Sequence, residues 1–179
     1  KAVKAAEPEK NKKIAIFGIG GVGHMAIQFC KVEGCEVTGV SRKEKHLDVA
    51  KKLGADNTFV YLSDQEKFLD KLNDEYGLFD AAIVFAPVDE VTDTAIKSVK
   101  KGGTVVIATV GKIPNFLAFE EKTIRGTLIG SRKDMEQVIE ISEKNNFQVV
   151  TETFPLEKAN EVLQKLKNSD IEARAVLIP

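Results

Sequence analysis

The segment Gly18-Ile19-Gly20-Gly21-Val22-Gly23 constrains this chain more than any other. It follows the apolar run Ile14-Ala15-Ile16-Phe17 and leads into apolar residues at helical spacing, Met25, Ala26, Phe29 and Cys30. Gly18 permits a tight turn out of a strand. Gly20 removes a Cβ where a pyrophosphate would approach, and Gly23 lets the new helix pack closely on the strand. Gly21 and Val22 complete the turn, and the helix N-terminus offers unpaired N–H groups and a positive dipole end to phosphates. Alone, a G-x-G-x-x-G run can do no more than make a tight strand-to-helix turn. Set between a strand and a helix, with a second strand over residues 35–40, it predicts dinucleotide binding.

The rest of the chain keeps the same rhythm. After the first helix, stopped at Gly34, the pattern predicts a helix over 43–53 whose face holds Leu47, Ala50 and Leu53. A short strand at 59–61, a helix at 65–75, a strand at 80–85, a helix at 90–100 and a strand at 104–110 follow. This alternation specifies a Rossmann-type α/β fold, a doubly wound parallel sheet with helices on both faces. Past Gly111 the spacing changes to two strands, 116–119 and 126–129, without a long helix between them. Then come a helix over 133–144 with Ser131 as N-cap, a strand at 149–153, an amphipathic helix at 156–167 and a strand at 175–178, together a C-terminal helix-strand appendage.

Composition removes several function classes. Twenty-six Lys and Arg against 27 Asp and Glu leave a net charge of −1 over 179 residues, so no basic excess points to nucleic acid. No apolar run approaches the roughly 20 residues of a membrane span, and the start KAVKAAEPEK has no signal-peptide pattern. The two cysteines, Cys30 and Cys35, build neither a disulfide framework nor a four-thiolate metal site; they read as buried thiols of a cytoplasmic protein.

The end of the second strand bears on which dinucleotide binds. An NAD site usually carries an acid there to hold the ribose 2′-hydroxyl. This chain has Val40-Ser41-Arg42-Lys43. A hydroxyl and a guanidinium can hydrogen-bond a 2′-phosphate that a carboxylate would repel, which favours NADP, with NAD as the alternative. Ser41-x-x-Glu44 also reads as a capping box for the next helix, a role that leaves Arg42 free.

The runs IAIFGIGGVGHMAIQFCK, VSRKEKHLDVAKKLGAD and KGGTVVIATVG, in that order, resemble the cofactor domain of zinc-type medium-chain alcohol dehydrogenases. The ending FPLEKANEVLQKLKNSDIEARAVLIP is similar to that family's C-terminal end, and the Ser-Arg pair is similar to its NADP-using branches, such as cinnamyl-type alcohol dehydrogenases. The resemblance implies further cofactor contacts. Phe85, Ala86 and Pro87 would lie near the adenosine side or the nicotinamide ribose. Thr109 and Val110 would flank the nicotinamide, Leu128 and Ile129 its other edge, and Arg174 the pyrophosphate. Apolar strand ends as plain core, and Arg174 as a solvated charge, are the structural alternatives.

The resemblance further implies an enzyme in which zinc polarises an alcohol or carbonyl oxygen while hydride passes to or from the nicotinamide. The zinc ligands belong to an N-terminal barrel domain whose Cys, His and Glu motifs are not in this sequence. We therefore expect no catalytic and no metal residues here. His24 is expected near the cofactor phosphates rather than on a metal, and His46, beside Lys43 and Lys45, on a solvated face. Residues 1–12 are read as the remnant of a leading helix and linker, 13–131 as the NAD(P)-binding domain, and 132–179 as a segment that packs with the catalytic domain in the family. Opening on Lys1 rather than Met fits an excised domain, which would bind cofactor without turning over an alcohol. Residues 112–130, with Phe116, Leu117 and Phe119, are a candidate homodimer contact. A non-catalytic dinucleotide sensor and an S-adenosylmethionine methyltransferase are the competing readings. Both normally want an acid at the second strand, and the sensor would not be expected to end in EARAVLIP.

Overall fold

A computed structural model describes residues 1–113 and 117–179. β1 (Lys13–Phe17) shows why the fold forms. Its side chains alternate between two faces, and all but Lys13 are buried. Ile14 and Ile16 enter one core with Ile27 and Cys30 of α2 (Gly23–Val32) and Val49 and Ala50 of α3 (Glu44–Lys52). Ala15 and Phe17 enter the other, with Phe68 and Leu72 of α4 (Gln65–Tyr76) and Val91, Ala95 and Ile96 of α5 (Asp89–Ser98). A strand apolar on both sides must be covered on both sides, which is what a parallel sheet between helices provides.

The sheet is completed by β2 (Glu36–Ser41), β3 (Asn57–Val60), β4 (Phe79–Val84), β5 (Val99–Ile107) and β6 (Thr123–Gly126). All pairs are parallel, and the order is β3-β2-β1-β4-β5-β6. The order reverses between β1 and β4, so a crevice opens beyond their carboxyl ends. A short α1 (Ala2–Ala5) packs on the first core. The doubly wound parallel architecture expected from the sequence is the one observed.

The C-terminal part holds α6 (Arg132–Lys144), α7 (Ala159–Lys167) and a separate parallel pair, β7 (Thr151–Pro155) and β8 (Arg174–Ile178). Ser131 caps α6 as expected: its hydroxyl accepts from Asp134 N at 3.2 Å and the Asp134 carboxylate accepts from Ser131 N at 2.7 Å. Other local expectations are corrected. The strand expected at 116–119 is, over its described residues, the single 3₁₀ turn Ala118–Glu120; Phe116 lies outside the described residues. The sixth strand is Thr123–Gly126, not 126–129, because it is the half-exposed TIRG that pairs with β5, Thr104 opposite Thr123. The helix expected to reach residue 100 stops at Ser98, since Val99 already pairs with Phe79. The strand expected at 149–153 lies two residues later, at Thr151–Pro155, and Leu156–Lys158 forms a 3₁₀ turn ahead of α7.

Phe68 is fully buried, with ring centroids 4.9 Å from Tyr61, 5.3 Å from Phe59 and 6.5 Å from Phe17. Truncating such an aromatic removes its transfer free energy and leaves a cavity. Phe68→Ala is expected to lower unfolding free energy by about 3–5 kcal/mol, read as a reduced midpoint in urea denaturation. A loss below about 1 kcal/mol would contradict this packing.

Candidate functional site

The turn between β1 and α2 sits at the sheet's switch point. Gly18 has φ +95°, and a Cβ there would lie 2.9 Å from Ala86 N. A Cβ on Gly23 would lie 2.0 Å from the carbonyl oxygen of Gly18. Both contacts are with backbone, which cannot swing aside. Gly20 differs: nothing lies within 4 Å of where its Cβ would be. The space beside it is open, and α2 begins just beyond, at Gly23, with Val22 as an N-cap that makes no side-chain bond. An uncapped helix N-terminus beside a bare backbone suits an anionic group.

This turn forms one wall of a cleft of about 640 Å³, a volume in the range of small-molecule and cofactor sites. Gly18, Gly20, Gly21, Val22 and Gly23 line it. The end of β2 contributes Ser41, Arg42 and Lys43, and the end of β4 contributes Phe85, Ala86 and Pro87. The C-terminal part closes it with Leu166, Lys167, Ser169 and Arg174. The closure over the turn is tight: a Cβ on Gly21 would lie 3.1 Å from the Ala173 carbonyl oxygen and 3.6 Å from Arg174 Cζ. Arg42, Lys43, Lys167 and Arg174 put four cationic side chains on the lining, which among the described residues includes no carboxylate. Lys43 reaches Asp170 at 3.5 Å, so part of its charge is already met.

Twelve of the sixteen residues expected at the site therefore face one cleft. The remaining four are not on its lining. The lining stops at Ala108, one residue before half-buried Thr109. Val110, Leu128 and Ile129 are 88%, 84% and 79% exposed.

Both histidines are buried, and each is bonded to part of this site. His24 Nδ1 lies 3.0 Å from the Gly20 carbonyl oxygen, which also accepts from His24 N at 3.1 Å. A carbonyl can only accept, so Nδ1 carries the proton. The ring thus holds the loop from beneath and leaves its buried Nε2 without a hydrogen-bond partner. Burial lowers the His24 pKa first, opposed by the Gly20 carbonyl bond and reinforced by the charge of Arg174.

His46 is not on a solvated face. It is buried, with Nδ1 3.1 Å from Ser41 Oγ and Nε2 2.9 Å from the Ile171 carbonyl oxygen. The proposed capping box is absent for the same reason. Ser41 bonds His46, its Oγ lies 3.4 Å from Lys43 N, and the N-cap of α3 is Lys43 with no side-chain cap. The Ser41-x-x-Glu44 spacing points only to the cap. The deciding contact is Ile171, 125 positions from His46 along the chain, a separation no local pattern displays.

An open parallel sheet with a cationic, glycine-lined cleft at its switch point places the chain among the doubly wound α/β folds. Residues 21–144 match the family described as zinc-binding dehydrogenase, and this chain belongs to that family. It is 32% identical over 182 residues to an alcohol dehydrogenase of Geobacillus stearothermophilus, covering 99% of this chain and 53% of the relative. A putative cinnamyl alcohol dehydrogenase 4 of Oryza sativa subsp. japonica is 30% identical, covering 94% and 48%. Among solved structures, the alcohol dehydrogenase of Aeropyrum pernix superposes with a TM-score of 0.88 at 27% identity, over 99% of this chain and 54% of that one. The acetophenone reductase of Geotrichum candidum in complex with NAD gives 0.86 at 28%, over 99% and 51%. The chain spans about half the length of the curated relatives it matches.

Cys30 and Cys35 are free and buried, and burial pushes both thiols up. Among the described residues, no group of three or more His, Cys, Asp and Glu could hold a metal ion. In the same set no helix is long and apolar enough to cross a membrane.

The lowered pKa of His24 fixes a pH dependence. Below about pH 6.5 the unfolded chain binds a proton at this position that the folded chain resists, so stability falls as pH drops through that value. Thermal unfolding is expected to show a lower Tm at pH 5.5 than at pH 7.5. In His24→Gln, which can still donate to Gly20, the difference should shrink. An unchanged pH difference in the variant would contradict the assignment.

Proposed function

We propose that this chain is the NADP(H)-binding half of a zinc-dependent alcohol dehydrogenase that moves hydride between an alcohol and its carbonyl product. The observation that carries this reading is the cleft at the switch point, with four cations, an open glycine and no carboxylate on its lining among the described residues. A 2′-phosphate at the end of β2 meets Arg42 and Lys43, where a carboxylate would oppose it. The open backbone at Gly20, the α2 N-terminus and Arg174 receive the pyrophosphate. Ser41 packs beside the ribose. Phe85, Ala86 and Pro87 face the adenosine or nicotinamide ribose. Thr109 and Val110 flank the nicotinamide, with Leu128 and Ile129 at its other edge. The bound nicotinamide supplies the hydride acceptor or donor. The described residues do not fit a zinc site, so no zinc step is assigned to them.

On this reading residues 13–131 form the cofactor domain, with 1–12 leading into it and 132–179 packing with a catalytic domain. The buried free thiols agree with a reducing, cytoplasmic location. The exposed Leu117 and Phe119 lie near the free edge β6, where a second copy would pair. Light scattering at high concentration is expected to give twice the monomer mass; a strict monomer would remove the dimer from this reading.

The cofactor assignment is tested by fluorescence titration. NADPH is expected to bind more tightly than NADH. Arg42→Ala should weaken NADPH about ten- to a hundredfold, the effect of losing a charge-assisted hydrogen bond, and leave NADH nearly unchanged. Equal affinities that ignore the substitution would refute the 2′-phosphate site. Incubated with alcohols and NADP, the 179-residue chain should show no turnover, because this reading assigns the reacting oxygen to residues outside it. Robust turnover would overturn that half of the proposal.

A further inference from the structure

Ser41 has one hydroxyl proton, and the surrounding bonds decide where it points. The Ile171 carbonyl 2.9 Å from His46 Nε2 can only accept, so Nε2 holds a proton. In the neutral ring Nδ1 is then a lone pair, and the Ser41 hydroxyl, at 3.1 Å, donates to it. Ser41 Oγ also accepts from Lys43 N at 3.4 Å, so toward the cleft it offers its remaining lone pair and no proton. That suits a hydroxyl donor and gives nothing to a phosphate, which needs donors. When His46 is protonated both ring nitrogens donate. Nδ1–H then donates to Ser41 Oγ, and the Ser41 hydroxyl proton turns toward the cleft with a positive charge behind it.

We propose that His46 is a positioning residue that selects between ribose 2′ groups: neutral, it makes Ser41 an acceptor for a 2′-hydroxyl; protonated, it makes Ser41 a donor to a 2′-phosphate. This rests on reading the cleft as an NADP(H) site. No bond other than O–H and N–H changes. The proton comes from solvent as the phosphate binds and returns when the cofactor leaves.

The charges on the same cleft wall bear on this exchange. On the lining that His46 shares stand Arg42 and Lys43 from the β2–α3 turn, Tyr61 just past β3, Lys167 of α7 and Arg174 of β8. Asp170, next to Ile171, is paired with Lys43. Cations outnumber carboxylates on this wall, and a 2′-phosphate dianion supplies the missing negative charge beside His46. Discrimination therefore follows from what Ser41 presents as well as from the attraction of Arg42.

The test is the ratio of NADH to NADPH dissociation constants from pH 6 to pH 8, in the wild-type chain, His46→Gln and Ser41→Ala. Gln can donate to Ile171 and accept from Ser41 but does not titrate. Ser41→Ala removes the relay from its other end and serves if His46→Gln does not fold. The 2′-phosphate has its own ionisation, which acts equally in all three chains and cancels in the comparison. Between pH 8 and pH 6 the wild-type preference for NADPH is expected to rise about tenfold more than in either variant, because a proton on His46 is linked to binding of the 2′-phosphate. Parallel profiles in wild type and variants would overturn the role of His46 and leave an Arg42-dependent preference for NADPH standing. No preference at any pH, with Arg42→Ala silent, would overturn the NADP(H) reading and this inference with it.

Discussion

The approach of Gly23 to the Gly18 carbonyl sets the geometry on which the site depends. A methyl group at Gly23 would have to sit 2.0 Å from that oxygen, so α2 can start where it does only without one. The approach places the helix N-terminus over the end of β1, between β2 and β4, where the strand order reverses. The loop is held from below as well. The Gly20 carbonyl accepts from both the backbone and the ring of His24, which turns the carbonyl inward and leaves the Gly20 α-carbon facing open space. The fold thus builds a concave, donor-rich wall from backbone, and side chains need only supply charge around it.

Charge arrives from far along the chain. Arg42 and Lys43 follow β2, whereas Lys167 and Arg174 come from the C-terminal part. Contacts that hold that part in place include the Ala173 carbonyl against Gly21, the Ile171 carbonyl bonded to His46, and paired hydrogen bonds between the Gln28 side chain and the Gln148 backbone. The overall charge of −1 therefore conceals a locally cationic cleft. Net charge describes the partners of a whole surface, and a small ligand responds to the few groups that face it.

The fold was legible because its signals are local or periodic. The strand-glycine-helix run, the alternation of β and α segments and the Ser131 cap each lie within a few residues. The cleft was legible at Gly18–Gly23 and Arg42 for the same reason, and at Phe85–Pro87 and Arg174 through family resemblance. His46 was misplaced because Lys43 and Lys45 make its stretch look solvated, while its partners are Ser41 and a carbonyl at Ile171. The sixth strand was displaced because an edge strand needs little apolar sequence. TIRG carries the pairing, while the more apolar Leu128 and Ile129 stay exposed. Hydrophobicity locates strands buried on both faces and loses its power at the edge of a sheet.

The order of the cleft's walls along the chain bears on how it forms during synthesis. Its floor comes from residues 18–23, its sides from 41–46 and 85–88, and its closing wall from 166–174. As the chain leaves the ribosome, the central strands β1, β2 and β4 can pair while this last wall is still being made. Until residues 166–174 emerge, the glycine turn stands open to solvent on the side that Ala173 later covers. The six strands of the sheet therefore all precede, along the chain, the wall that closes the cleft.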